Sequence, residues 1–330
     1  MTPSTTSPTR RPEAALLCAA ALLVAALGIA SLLVGKYPLT VAGLFHDEMQ
    51  RQVFLTLRLP RALTGVCGGF ALGVCGFVYQ TVFRNPLASP DIIGVSSGAS
   101  AGAAAGILFL SGAAEITLAA FGGALAAVLL ALGLSALDRR GQSGTIVLAG
   151  IAVHALAQTV LMCLKLTADP ERELASIEYW IMGSLNGVKA SALPVNLCIC
   201  AVCVAALFAL HRQVLLLSAE EGEARMLGVN VTALRLLVLL AATLAVAAVV
   251  SLTGLVSFVG LLAPHAARLV CKGSRTPTLA LSGLVGSALL CAADILARSV
   301  AATELPVSIF TSLLGAPFLV FLLVREGRRT

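Results

Sequence analysis

The chain has 330 residues, of which 58% are hydrophobic and only 12% are charged, with a mean hydropathy of +0.98 and a formal net charge of +6. That balance excludes a soluble globular domain, in which about 25% of residues are charged. No basic helix or aromatic platform accompanies the positive charge, so it reads as membrane topology and lipid contact, with no nucleic acid as partner.

A membrane helix needs about 20 apolar residues. Taken in chain order, ten runs qualify as spans, near 14–35, 62–83, 92–114, 116–137, 142–164, 190–211, 236–253, 255–270, 276–297 and 305–324. The uncharged stretch from Leu236 to Ala267 is too long for one crossing and divides at Thr253-Gly254, which leaves a short eighth span. The fold class expected is an all-α polytopic membrane protein with one transmembrane domain over 14–325. Residues 1–13 form a disordered cytoplasmic tail, and 326–330 a short one. The first apolar run is too long, and lacks a convincing cleavage site, for a removed signal peptide. With an even number of spans both termini share a side. Placing them in the cytoplasm leaves only Lys36, Arg51, Arg58, Arg61, Lys165, Arg172, Lys189 and Arg298 of the 22 basic residues outside, which satisfies the positive-inside bias.

The second span opens on Arg58-Leu59-Pro60-Arg61 and carries Gly65, Gly68, Gly69, Gly73 and Gly76 without a charge. Small residues at that density let helices pack backbone to backbone in lipid. Arg84 to Asp91 then reads as a turn and a helix start, with Ser89 as cap, Pro90 in the first helical position and Asp91 facing the positive dipole end. In the fifth span His154 is an ionisable group deep in lipid, either a pathway residue or a histidine bonded to a neighbouring helix. The outer segment from Leu166 to Lys189 is long enough for a short helix, with Tyr179 and Trp180 as interface aromatics.

Between the sixth and seventh spans lies a polar segment, 212–232. Ser218 and Glu221 fit a capping box, Gly228 suits a left-handed helix end, and Thr232 suits a cap for the seventh span. Such a helix is either a membrane-surface linker or a knob for a cytoplasmic partner, and its acidic start favours the knob. Nine cysteines raise the question of a metal or redox site. Cys198, Cys200 and Cys203 sit in an apolar span without a nearby histidine, where cysteine behaves as a small hydrophobe, so no metal is expected.

Several blocks together resemble the permease family that imports ferric siderophores, haem and cobalamin. They are Arg84-Asn85-Pro86-Leu87-Ala88-Ser89-Pro90-Asp91 with the run from Ile92 to Ser100, the segment Glu220 to Val229, the stretch Gly254 to Arg268, Glu304-Leu305-Pro306-Val307-Ser308, and Gly315-Ala316-Pro317-Phe318. Ser257 and Ser308 depart from it, standing where glycine is expected. The resemblance implies a subunit of an ATP-binding-cassette importer in the bacterial inner membrane. It would pair with a second copy or a paralogue, and its fifth and tenth helices would line the solute path. It would work with two ATP-binding subunits and with a periplasmic or lipid-anchored solute-binding protein.

The chain has no phosphate-binding loop of its own, so ATP and Mg would sit on the partner and no cofactor on this chain. By the same resemblance Glu220, Glu221, Glu223, Ala224, Arg225, Leu227 and Gly228 form the ATPase coupling segment. Ser143, Gly144 and Thr145 form a cytoplasmic gate in what composition alone reads as an ordinary turn. Arg58, Arg61 and Arg298 would dock the binding protein, against the alternatives of snorkelling to lipid and of pairing Arg298 with Asp294. Two other readings compete. An ion-coupled secondary transporter would need embedded carboxylates, and Asp294 alone lies well within a span. A member of the same importer class could carry a small oxyanion such as molybdate.

Overall fold

The computed structural model describes residues 10–110, 112–137, 143–218, 230–271, 276–301 and 303–327. Among them there are helices and no strand. We number the principal helices α1 (Arg10–Leu33), α2 (Glu48–Val82), α3 (Val95–Phe109), α4 (Ala113–Ala136), α5 (Ser143–Thr167) and α6 (Glu173–Met182). They continue with α7 (Leu193–Ala209), α8 (Val231–Thr253), α9 (Val259–Cys271), α10 (Thr276–Ser299) and α11 (Val307–Gly327). Six of these are long and apolar enough to cross a membrane: α1, α2, α4, α5, α8 and α10. Apolar parts of α3, α7, α9 and α11 are shorter.

α2 is the centre, and α8, α9 and α10 pack around it. The glycines expected to pack backbone on backbone do so. A Cβ on Gly73 would overlap the carbonyl oxygen of Ser282 on α10, and one on Gly76 would overlap that of Gly260 on α9. Such close approach lets dispersion act between main chains, which matters in lipid because the hydrophobic effect adds little there. Polar side chains tie the same helices. Tyr79 and Thr243 share a hydrogen bond of 2.6 Å between α2 and α8, and Gln80 donates to the Leu261 carbonyl at 3.1 Å. Arg268 bonds to Gln80 and lies 5.0 Å from the centre of the Phe77 ring, within cation–π range. A second group, α3 with α4 and α5, leans on α8 through α4, while α1 lies against α10 and α7 against α8.

The structure corrects several local expectations. α1 begins at Arg10, inside the stretch 1–13 expected as a disordered tail. α2 begins at Glu48 and not near residue 62, running straight through Pro60. A proline removes a backbone donor and normally ends or kinks a helix. Here the preceding turn is π-helical over Phe54–Arg58, with the Leu59 amide donating five residues back to Phe54, so the ladder is already displaced where Pro60 enters. Ser89 makes no capping hydrogen bond. The turn Pro90–Ile93 closes at Gly94 in left-handed geometry, and α3 starts only at Val95, with Asp91 accepting instead from the Ser96 hydroxyl. Asn230, not Thr232, caps α8 by accepting from the Ala233 amide at 3.1 Å, since the helix starts one residue before Thr232. The break after Thr253 falls where the sequence placed it, at Gly254 with φ +68°.

Candidate functional sites

At the end of the bundle where α1 stops and α2 gathers charge, Arg58, Arg61 and Arg298 come together, although 240 positions of chain part Arg58 from Arg298. They do not face outward. Their relative exposures are 5%, 7% and 6%. Arg61 Nε donates to Asp294 Oδ1 at 2.8 Å and its Nη1 to Glu304 Oε2 at 2.9 Å, while Arg298 Nη2 lies 2.8 Å from Asp294 Oδ2. The pairing of Arg298 with Asp294 was one of the alternatives the sequence left open. Arg298 also donates to the Val34 carbonyl at 3.0 Å and the Ser31 hydroxyl at 2.6 Å.

Arg58 serves α1. Its Nη1 donates to the Leu32 and Leu33 carbonyls, each at 2.7 Å, and its Nη2 to the Tyr37 carbonyl. A helix leaves its last carbonyls without partners and carries partial negative charge there, so a guanidinium is a fitting cap. Three guanidiniums thus meet two carboxylates and one helix C-terminus. Buried charges are tolerable only when paired and hydrogen-bonded. The consequence is a joint that fastens α1, α2, α10 and the link to α11. Sequence spacing exposed Asp294 and Arg298 as a pair, but nothing in it tied Glu304 to Arg61.

A second joint lies nearby. Residues 254–258 are non-helical and run between the end of α6 and the start of α11. Ser184 N donates to Thr253 O at 2.7 Å, Val307 N to Gly183 O at 3.0 Å, and the Ser308 hydroxyl to Leu255 O at 2.6 Å. Gly183 and Gly254 both have positive φ, and a Cβ on Gly254 would overlap the Trp180 carbonyl. The hydroxyl that replaces an expected glycine at Ser308 is therefore a tie between α11 and the α8–α9 link. Ser257 lines a small cavity of about 200 Å³ with Asp91 and Ser96.

α6 forms where a short outer helix was expected, bearing Tyr179 and Trp180. Ser143, Gly144 and Thr145 are the first turn of α5 and not a loop. His154 is exposed on α5, outside the buried stripe of Ala149, Val153 and Leu161. Around it α5 presents Leu148, Ile151, Leu156 and Met162, and α11 likewise exposes Leu313, Val320 and Phe321. The segment from Glu220 to Gly228, with Glu221, Glu223, Ala224, Arg225 and Leu227, lies outside the described residues. Among those described, no cluster of histidine, cysteine or acidic residues could hold a metal ion.

The FecCD transport family matches residues 22–325. The chain belongs to that family. It is 40% identical over 277 residues to the cobalamin import system permease protein BtuC of Halobacterium salinarum, covering 84% of this chain and 74% of the relative. It is 34% identical over 323 residues to the molybdate import system permease protein MolB of Haemophilus influenzae, covering 93% and 95%. A solved structure described as an inward-facing conformation of a metal-chelate type ABC transporter superimposes with a TM-score of 0.86 at 32% identity, over 94% of this chain and 99% of that one. FecCD membership accounts for the resemblance carried by the blocks around Pro86, Gly254 and Gly315.

Proposed function

We propose that this chain is the membrane-spanning subunit of an ATP-driven importer that carries a metal chelate into the bacterial cytoplasm. The observation that carries this reading is the near full-length likeness to a metal-chelate transporter, joined to membership of the FecCD family. Cobalamin is the cargo named for the BtuC relative, and it is a metal chelate too. The six long helices together with the four shorter ones would make ten spans, and the distribution of basic residues favours both termini inside.

Two copies, or this chain and a paralogue, would enclose the path between their α5 and α11 helices. Support comes from the apolar faces that both helices leave uncovered within one subunit, including the face that bears His154. The first turn of α5, Ser143 to Thr145, would close that path on the cytoplasmic side. Residues 220–228 would couple it to two separate ATP-hydrolysing subunits, since this chain has no phosphate-binding loop. A solute-binding protein would dock at the outer end, around the arginine joint. Arg61 and Arg298 are already paired there, so a carboxylate from outside would first compete with Glu304 for Arg61.

Reconstitution tests the whole reading. Proteoliposomes holding this chain, its ATP-binding partner and its binding protein are expected to accumulate cobalamin or haem only when ATP is supplied. Lysine at both Glu223 and Leu227 is expected to abolish that uptake while the chain still inserts. Uptake driven by an ion gradient in the absence of the ATP-binding partner would overturn the proposal in favour of a secondary transporter.

A further inference from the structure

Beside α6 lies a cleft of about 690 Å³, the size of a small-molecule site, typically about 300–1,000 Å³. No residue of α5 or α11 lines it, so it is separate from the faces assigned to the path. Each neighbouring helix contributes only an end. Ile107 is near the close of α3, Ile116 sits in the first turn of α4, and Leu252 is in the last turn of α8. The cleft thus sits at the depth where helices leave the apolar layer and headgroups begin. Tyr179 and Trp180 of α6 border it, as aromatics do at a membrane interface.

Its charge is specific. Arg172 and Lys189 line the cleft, as does Glu171, and none of these three side chains has a hydrogen-bond or ion-pair partner among the described residues. Two cations suit a phosphate, through charge-assisted hydrogen bonds. A carboxylate next to them suits an ammonium on the same ligand. Apolar surface from Ile107, Ile116 and Leu252 suits hydrocarbon. A phosphodiester with an amine on one side and acyl chains on the other answers all three.

We propose that this cleft binds phosphatidylethanolamine from the leaflet on the α6 side. Its phosphate lies against Arg172 and Lys189, its amine faces Glu171, and its chains leave over Ile107 and Ile116. The inference rests on the chain crossing a membrane and is independent of the cargo.

The test uses the full chain, purified in detergent and probed by native mass spectrometry and by melting in nanodiscs of stated lipid. Wild type is expected to retain phosphatidylethanolamine and to melt higher in it than in phosphatidylcholine, whose methylated amine cannot donate to Glu171. The double variant Arg172→Glu, Lys189→Glu should retain about tenfold less of the lipid, because two charge-assisted contacts are lost. Both positions are exposed, so its melting without lipid should match wild type. Glu171→Gln should erase the preference between the two lipids and leave retention in place. Equal retention by wild type and the double variant would overturn the proposal. Protection by soluble phosphoethanolamine at the same concentration as the lipid would also overturn it, by making the site a free-phosphate pocket.

Discussion

α2 and α5 are both apolar helices of the same bundle, yet 78% of the membrane-length window of α2 is buried within the subunit against 22% for α5. Their overall apolar character does not separate them. What separates them is the distribution of small and charged residues. α2 carries glycines that face Ser282 and Gly260, and its Arg61 meets Asp294 and Glu304 while its Arg58 caps the end of α1. α5 has only Gly144 and Gly150 and no arginine, and presents Leu148, Ile151 and Leu156 outward. In lipid, apolar area alone does not bring helices together. Close backbone approach and paired charge do, so α2 is fixed by its own subunit while the face of α5 is available to something beyond it.

The largest effect expected from this contrast is at Asp294. Asp294→Ala leaves Arg61 and Arg298 buried with a surplus of positive charge, and breaking a buried pair from one side typically costs about 3–5 kcal/mol. The matching change on α5, Ile151→Ser, should alter the melting of a single subunit by no more than about 0.5 kcal/mol, as exposed substitutions do. Its effect should appear in self-association, read by crosslinking in the membrane. Melting curves in detergent that rank the two variants the other way would break the comparison.

Glycines offer an intermediate test. At Gly76 an added methyl group would meet the backbone of Gly260, so Gly76→Ala forces α2 and α9 apart and should cost about 1–3 kcal/mol, the usual range for overpacking. Gly122 on α4 has nothing within 4 Å of the same methyl position, and Gly122→Ala should stabilise by about 0.5–1 kcal/mol through helix propensity. Thermal unfolding of the two variants side by side gives opposite signs. Equal shifts would mean that the α2 seam is looser than its glycines indicate.

The six membrane-length helices were legible in the sequence as long runs nearly free of charge, and the break at Gly254 was legible because one crossing cannot absorb 32 uncharged residues. The start of α2 was not. Pro60 reads as a terminus by its missing donor, and only the π-helical turn before it lets the helix pass. The meeting of Arg58, Arg61 and Arg298 followed from topology, whereas their burial did not, because arginines beside a span read equally well as snorkelling cations. In the sequence Glu304 stands out only as the first residue of Glu304-Leu305-Pro306-Val307-Ser308. Its contact with Arg61 spans 243 positions, and no local periodicity reports a contact of that range.

Glu304 also supplies the smallest and most discriminating test. Its side chain is 24% exposed while Arg61 is nearly buried, so their contact is the solvent-facing edge of the joint. A partly exposed pair contributes about 0–1 kcal/mol, and Arg61 keeps Asp294 in its absence, so Glu304→Gln should hardly move the melting temperature. If the arginine joint receives the binding protein, as proposed above, Glu304 occupies the place that an incoming carboxylate would take. Removing its charge then frees one edge of Arg61 and raises the positive potential there. Affinity for the binding protein should rise about two- to fivefold, mostly through faster association, and the gain should shrink as salt screens the contact. Asp294 is too deep to be reached in this way, so a carboxylate approaching from outside would meet the Glu304 edge first. Affinity unchanged by Glu304→Gln at low ionic strength would make the three arginines internal fasteners alone, and would place docking on another part of the outer face.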